Sequence, residues 1–155
     1  MKLRLVALGH RLPAWAMSAC EDYARRLPRD VVLEIRALRP EPRGRGRTTA
    51  QILAAEAKTI AAATIGFQTV ALDEHGEPWT SARLAHSLGR WRDEAIPVAF
   101  VIGSADGLSE SVKRNANVIM SLSALTLPHA LVRVVLIEQI YRATSILSGH
   151  PYHRE

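Results

Sequence analysis

The chain has 155 residues, 48% of them apolar and 23% charged, which is enough to build one core and keep one domain in solution. No apolar run reaches the roughly 18 to 20 residues of a bilayer span, the first residues lack a secretory pattern, and Cys20 is the single cysteine. A membrane protein, a disulfide scaffold and a thiolate zinc site are therefore excluded, and a cytoplasmic location is expected.

Twenty basic residues against fifteen acidic leave a net charge of +5, which draws a polyanion, so nucleic acid is the first partner to consider. Lys2 to Leu8 is dense in apolar residues and reads as a buried strand. Pro13 opens a helix on which Trp15, Ala16, Ala19, Cys20, Tyr23 and Leu27 share a face. Val31 to Leu38 is a second strand. Pro40, Pro42, Gly44 and Gly46 then break regular structure and place Arg39, Arg43, Arg45 and Arg47 on a mobile loop. With Arg36 they form the stretch best suited to phosphate, unless the loop is only a solvated surface.

Thr48 and Gln51 make a capping box for a second helix, which runs through Ile52, Glu56 and Ile60 towards Gly66. Thr69 to Leu72 is a short strand that stops at the polar turn Asp73-Glu74-His75-Gly76. A helix from about Ser81 aligns Leu84, Leu88 and Trp91. Val98 to Ile102 is the most strand-like run, and it ends in Gly103-Ser104-Ala105-Asp106-Gly107, after which Ser109 caps a short helix. Val118 to Ser121 is the last strand. Leu122 to Leu127 connects it to the longest helix, which begins behind Pro128 and covers His129 to about Leu147. Gly149 to Glu155 reads as a non-helical tail.

Strands of continuous apolar character alternating with helices predict an α/β fold with a mostly parallel sheet and helices on both faces, as a single domain over residues 1–155. Ligands of such sheets sit beyond the carboxyl ends of the strands. The loops after Leu72, Ile102 and Ser121 are thus the expected pocket walls. A dinucleotide fingerprint is missing, because Gly9 stands alone between the first strand and helix. A Walker loop is missing too.

The remaining motifs are open when taken residue by residue. Gly103 and Gly107 suit either a tight turn or a ligand's approach to the backbone. The leucines of 122–127 suit either an apolar ligand face or packing beneath the loop. The tail His150-Pro151-Tyr152-His153-Arg154-Glu155 has a composition that favours docking over fraying. His129, His150 and His153 also allow a three-imidazole metal site and hence a hydrolase, and the basic surface alone allows a non-catalytic RNA-binding factor. His10, His75 and His86 read as surface residues.

Four segments, I-G-S-A-D-G-L at 102–108, L-S-A-L-T-L-P-H at 122–129, L-V-R-V at 131–134 and the terminal H-P-Y-H-R-E, resemble the ribosomal RNA large-subunit methyltransferase H family of the SPOUT superfamily. The similarity runs the whole length, with Ser104 standing where that family usually has a second glycine. The resemblance implies a C-terminal trefoil knot, an exception to the rule that chains do not thread loops. It also implies a homodimer and S-adenosylmethionine as methyl donor, with no metal. The substrate would be N3 of a pseudouridine in the helix 69 loop of 23S ribosomal RNA, on the ribosome rather than on DNA or a membrane. The family's donor positions fall on Leu72, Gly103, Leu122, Ser123, Ala124, Leu125, Thr126 and Leu127. For the imide N3–H of the acceptor, His129 or His153 is the expected proton acceptor, Arg154 the expected stabiliser of charge and Tyr152 the expected contact to the base.

Overall fold

A computed structural model of the chain describes residues 1–9, 11–44 and 46–154, the side chains of 153 and 154 excepted. Five strands, β1 (Lys2–Leu8), β2 (Val32–Leu38), β3 (Gln68–Pro78), β4 (Val98–Ile102) and β5 (Val118–Ser121), form one sheet in the order β2-β1-β4-β3-β5. Every pairing between them is parallel. Four α-helices connect them, α1 (Ala14–Arg25), α2 (Thr49–Ala63), α3 (Ser81–Asp93) and α4 (Glu110–Asn115), and α5 (His129–Ser148) follows the last strand.

Side chains alternate along a strand, so the central strands β1, β4 and β3 feed two cores. Leu3, Leu5 and Ala7 of β1, with Val98 and Phe100 of β4, pack against Leu88 and Trp91 of α3 and Leu136, Ile137 and Ile140 of α5. Val6 and Leu8 of β1 and Val101 of β4 face the other way, onto Ile60 and Ala63 of α2 and the approach to α4. Helices cover both faces, and β4 in the middle is buried throughout.

The helix ends follow their local signals. Thr48 and Gln51 make both bonds of the capping box, Thr80 caps α3 through the Arg83 N–H, and Ser109 caps α4 through Val112. Gly149, at φ +68°, closes α5 in the left-handed conformation.

Three expectations need correction. Trp15 does not join the buried face of α1: it is 55% exposed, because Ala16 and Cys20, spaced i and i+4, take the inner stripe one step further round the helix. Asp73 to Gly76 does not end β3. The strand resumes, and Leu72 and Glu77 both pair with Met120, so the polar residues form a bulge inside the strand. Gly76 lets that bulge pass over β5, since a Cβ there would lie 2.8 Å from the Met120 carbonyl carbon. The tail is not without helix, because Pro151–Arg154 makes a 3-10 turn that packs on α5.

Candidate active site

The bulge of β3 and the carboxyl ends of β4 and β5 open into one cavity of about 760 Å³, within the range of sites for small organic ligands. Leu72, Gly103, Leu122, Ser123, Leu125, Thr126 and Leu127 line it, together with His129. Ala124, in the same loop, is exposed and is not part of the lining.

Each wall has a local reason for its shape. Gly103 starts a turn so tight that a Cβ would sit 2.5 Å from the carbonyl carbon and oxygen of Gly107. Gly107, at φ +79°, returns the chain so that its N–H donates to the Ser104 carbonyl at 2.9 Å. Hydroxyl groups hold the leucine loop: Ser121 Oγ donates to the Ser123 carbonyl at 2.9 Å and Ser123 Oγ accepts the Leu125 N–H at 2.9 Å. Thr126 Oγ1 donates to Glu74 Oε2 at 3.1 Å, which ties the loop to the β3 bulge. Leu122 packs into the main core while Leu125 is 74% exposed, so packing and an apolar face both occur in one loop.

The lining carries Asp73, Glu74, Asp106 and Glu110 against Lys113, an acidic patch on a basic protein. Lys113 Nζ joins Asp73 at 3.4 Å to Glu110 at 2.7 Å. Burial alone would raise the Asp73 carboxyl, but the His75 N–H and the Lys113 ammonium outweigh it and hold it below its ordinary value. The Glu110 carboxylate and, opposing partial burial, Asp73 raise Lys113 in turn.

At the edge of the cavity, His129 meets Arg133 one helical turn later. Arg133 Nε and Nη2 lie 3.2 and 3.0 Å from His129 Nε2, and Gly9 at the end of β1 passes so close that a Cβ there would be 2.5 Å from that nitrogen. Arg133 is 3% exposed, and burial pulls its guanidinium down from the ordinary arginine value. Sequence reading missed Arg133. Its signal was an arginine in an apolar stretch of helix, four residues after a candidate histidine.

Two arginines of the charged loop are held in ion pairs, which its prolines and glycines do not foretell. Arg43 pairs with Asp106 at 2.7 Å and donates to Ser104 Oγ at 3.0 Å, and Arg47 pairs with Glu41 at 2.8 Å. Arg45 lies outside the described residues. Arg36 pairs with Glu34.

The tail docks, but at a distance from the cavity. Tyr152 donates its hydroxyl to Glu138 Oε1 at 3.0 Å, lies 4.5 Å from the Tyr141 ring and stacks under Arg142 at 4.8 Å. Burial first, then hydrogen bonding with Tyr23 and Glu138, drives the Tyr152 phenol far up and keeps it protonated. The side chains of His153 and Arg154 lie outside the described residues. His129 starts α5, whereas the tail folds back from its far end only as far as Glu138, nine residues or about 14 Å along the axis from His129. Tyr152 is therefore not in the lining of its own protomer's cavity. His129 and His150 bracket the same helix, and among the described residues no three His, Cys, Asp or Glu side chains gather as metal ligands. His75 and His86 are exposed, while His10 lies outside the described residues. Among the described residues no helix is long and apolar enough to cross a membrane.

A parallel sheet with a cavity at the carboxyl end of its strands, walled by a glycine turn and a leucine loop, defines an α/β protein of the kind that binds its ligand at crossover turns. The family description "Predicted SPOUT methyltransferase" matches residues 1–153, and the chain belongs to that family. It is 50% identical to the Ribosomal RNA large subunit methyltransferase H of Bordetella avium (strain 197N), over 99% of both chains. Among solved structures it resembles a probable methylase family protein from Haemophilus influenzae Rd KW20, with a TM-score of 0.61 and 12% identity over 96% of this chain and 69% of that one. It also resembles an AdoMet-bound rRNA methyltransferase from Sinorhizobium meliloti, with a TM-score of 0.52 and 12% identity over 91% and 56%. At that identity the structural likenesses are of fold.

Proposed function

We propose that this chain, as a homodimer of single-domain protomers in the cytoplasm, methylates N3 of a pseudouridine in the helix 69 loop of 23S ribosomal RNA on the ribosome, with S-adenosylmethionine as donor. The observation that carries the reading is the convergence of Leu72, Gly103 and the 122–127 loop on one cavity. The strand order supports the knotted topology of the family, since the chain leaves β4 on one side of β3 and returns as β5 on the other.

The cavity suits the donor chemically. Leucines at 72, 122, 125 and 127 offer apolar walls for an adenine, and the surplus of carboxylates favours a cationic sulfonium and ammonium. When bound, the donor supplies an electrophilic methyl group in line with an incoming nitrogen. Everything else falls to the chain. The Gly103 turn and the leucine loop fix the pocket and exclude water, so that two reactants are held at attacking distance.

The N3–H of the acceptor must lose its proton, and the charge left behind spreads over flanking carbonyls. To Arg154 we assign the stabilisation of that charge, and to His153 the acceptance of the proton. His129, whose Nε2 is engaged by Arg133, serves as a hydrogen-bonding wall. Tyr152 stays a phenol and contacts the base. Because these tail residues leave the far end of α5, they serve the cavity of the partner protomer. Half-exposed Val135 and exposed Leu131 on α5 and the exposed Leu125 offer an apolar face for that partner.

A non-catalytic factor would keep the basic surface and lose donor binding, for which Ser104 is the one departure in the turn, but the Ser104 backbone is unstrained: Ala95 is the single non-glycine residue with positive φ among the described residues. The test supplies labelled S-adenosylmethionine to ribosomes from cells lacking this gene and maps the label by digestion and mass spectrometry. A methyl group on N3 of that pseudouridine is expected. Label elsewhere, or none, would sink the proposal.

A further inference from the structure

The arginine-rich segment is joined to the turn after β4 by a continuous chain of hydrogen bonds. Arg43 Nε donates to Asp106 Oδ2 at 2.8 Å, and its Nη2 donates to Ser104 Oγ at 3.0 Å. The Ser104 hydroxyl donates onward to Glu56 Oε2 at 2.7 Å. The other oxygen of Glu56 accepts the backbone N–H of Glu41 at 3.1 Å, and the Glu41 carboxylate holds Arg47. Ser104 and Asp106 both line the cavity, while Glu56 on α2 is only 2% exposed.

A carboxylate buried this deeply, which takes its hydrogen bonds from a hydroxyl and a backbone N–H, is costly to keep in a core. Its position explains its use. The turn at 103–107 contains Gly103 and Gly107, and glycine leaves a turn free to sample many shapes. A loop that must be ordered by its ligand loses affinity to that ordering, so holding the turn beforehand strengthens binding. Glu56 grips one side of the turn through Ser104, and Arg43 grips the other through Asp106.

We propose that Glu56 and Arg43 are positioning residues for the methyl-donor site, which hold the 103–107 turn in its receiving shape. The arginine-rich loop therefore serves the cosubstrate as well as the basic surface, and Arg43 belongs to the former. This rests on reading the cavity as the donor site. It predicts that a side chain outside the three pocket loops controls donor affinity.

The test titrates S-adenosylmethionine calorimetrically into the full-length protein carrying Arg43→Lys or Glu56→Gln, and measures methylation on ribosomes at varied concentrations of each substrate. Arg43→Lys keeps the charge that a phosphate would feel but loses the fork that spans Asp106 and Ser104. Both variants should weaken donor binding about tenfold, the loss expected for one charged hydrogen bond. The KM for the donor should rise in step, while kcat at saturating donor, the KM for ribosomes and the melting temperature hold. A merely structural role would instead lower the melting temperature and leave the donor KM alone.

Should Glu56→Gln fail to fold, Ser104→Ala interrupts the same relay from the turn, and a cycle of Arg43→Lys with Asp106→Asn should be non-additive. Wild-type donor affinity in Arg43→Lys and in Glu56→Gln or its Ser104→Ala substitute, or a rise confined to the ribosome KM, would overturn the proposal. A wild-type protein that takes no donor would instead overturn the assignment of the cavity itself.

Discussion

Arg133 points two N–H groups at one atom, Nε2 of His129, from 3.0 and 3.2 Å. An arginine only donates, so Nε2 accepts and the ring proton of His129 sits on Nδ1. The expected outcome is a 15N spectrum at neutral pH with Nε2 in the unprotonated range and Nδ1 protonated. Arg133→Met keeps the volume and removes a buried cation, so stability should hold or rise, while methylation falls roughly a hundredfold as the ring loses its support. Full activity in Arg133→Met would show that the pair has no part in the reaction.

The two glycines of the β4 turn should fail differently. In Gly103→Ala the new methyl meets the Gly107 backbone at 2.5 Å, and backbone cannot swing aside. The turn must open, and donor binding should become undetectable by calorimetry while the rest of the sheet stays folded. Gly107→Ala meets open space but carries φ +79°, which costs roughly 1–2 kcal/mol for a residue with a Cβ. Its melting temperature should drop by a few degrees with donor binding retained. Equal behaviour of the two variants in the titration would contradict the geometry.

Periodicity was enough to place the strands and helices, because a sheet covered on both faces needs unbroken apolar strands such as Val98–Ile102. The walls at Leu72 and after β4 and β5 were legible for the same reason, as ligands collect at strand ends, although the chain beyond Leu72 is a bulge and not the end of β3. Long-range side-chain pairing was not legible. Arg43 and Asp106 are 63 residues apart, so nothing in the local pattern of a Pro- and Gly-rich loop says that it is tied down. Asp73 to Gly76 has turn composition and does turn, with the Asp73 carboxylate accepting the His75 N–H at 2.8 Å, but the pairing that resumes at Glu77 depends on β5. The knot and the identity of the donor came from family resemblance alone.

Acid stability should report on the β3 bulge. The Asp73 carboxyl is held below its ordinary value of 3.8 in the folded chain, so folding binds the ionised form. Its contribution is complete above that value and disappears as pH falls through the lowered folded value. Urea midpoints of wild type and Asp73→Asn, compared from pH 7 to pH 2, should differ by a constant amount down to about pH 4, the unperturbed range of aspartate, and converge below it. A gap that persists at the acid end would remove Asp73 from the linkage.

Completion of the cavity by a second protomer can be tested by mixing two inactive chains. A protein lacking Tyr152 to Glu155 keeps its cavity and loses its tail, and it should melt close to wild type, since Glu138 retains Arg142 at 2.9 Å and Gln139 at 2.7 Å. Gly103→Ala keeps the tail and loses the cavity. Either homodimer should be inactive. In a mixed dimer the tail of the Gly103→Ala protomer meets the intact cavity of the shortened one, so random pairing should restore about a quarter of wild-type sites. Co-expression under two affinity tags isolates the mixed species, which should then show half the wild-type rate per dimer, one of its two sites being whole. Donor binding should be seen in the shortened protein alone. If the mixed dimer stays inactive while the shortened homodimer still binds S-adenosylmethionine, the tail acts within its own protomer, and the helix that separates Tyr152 from His129 must move.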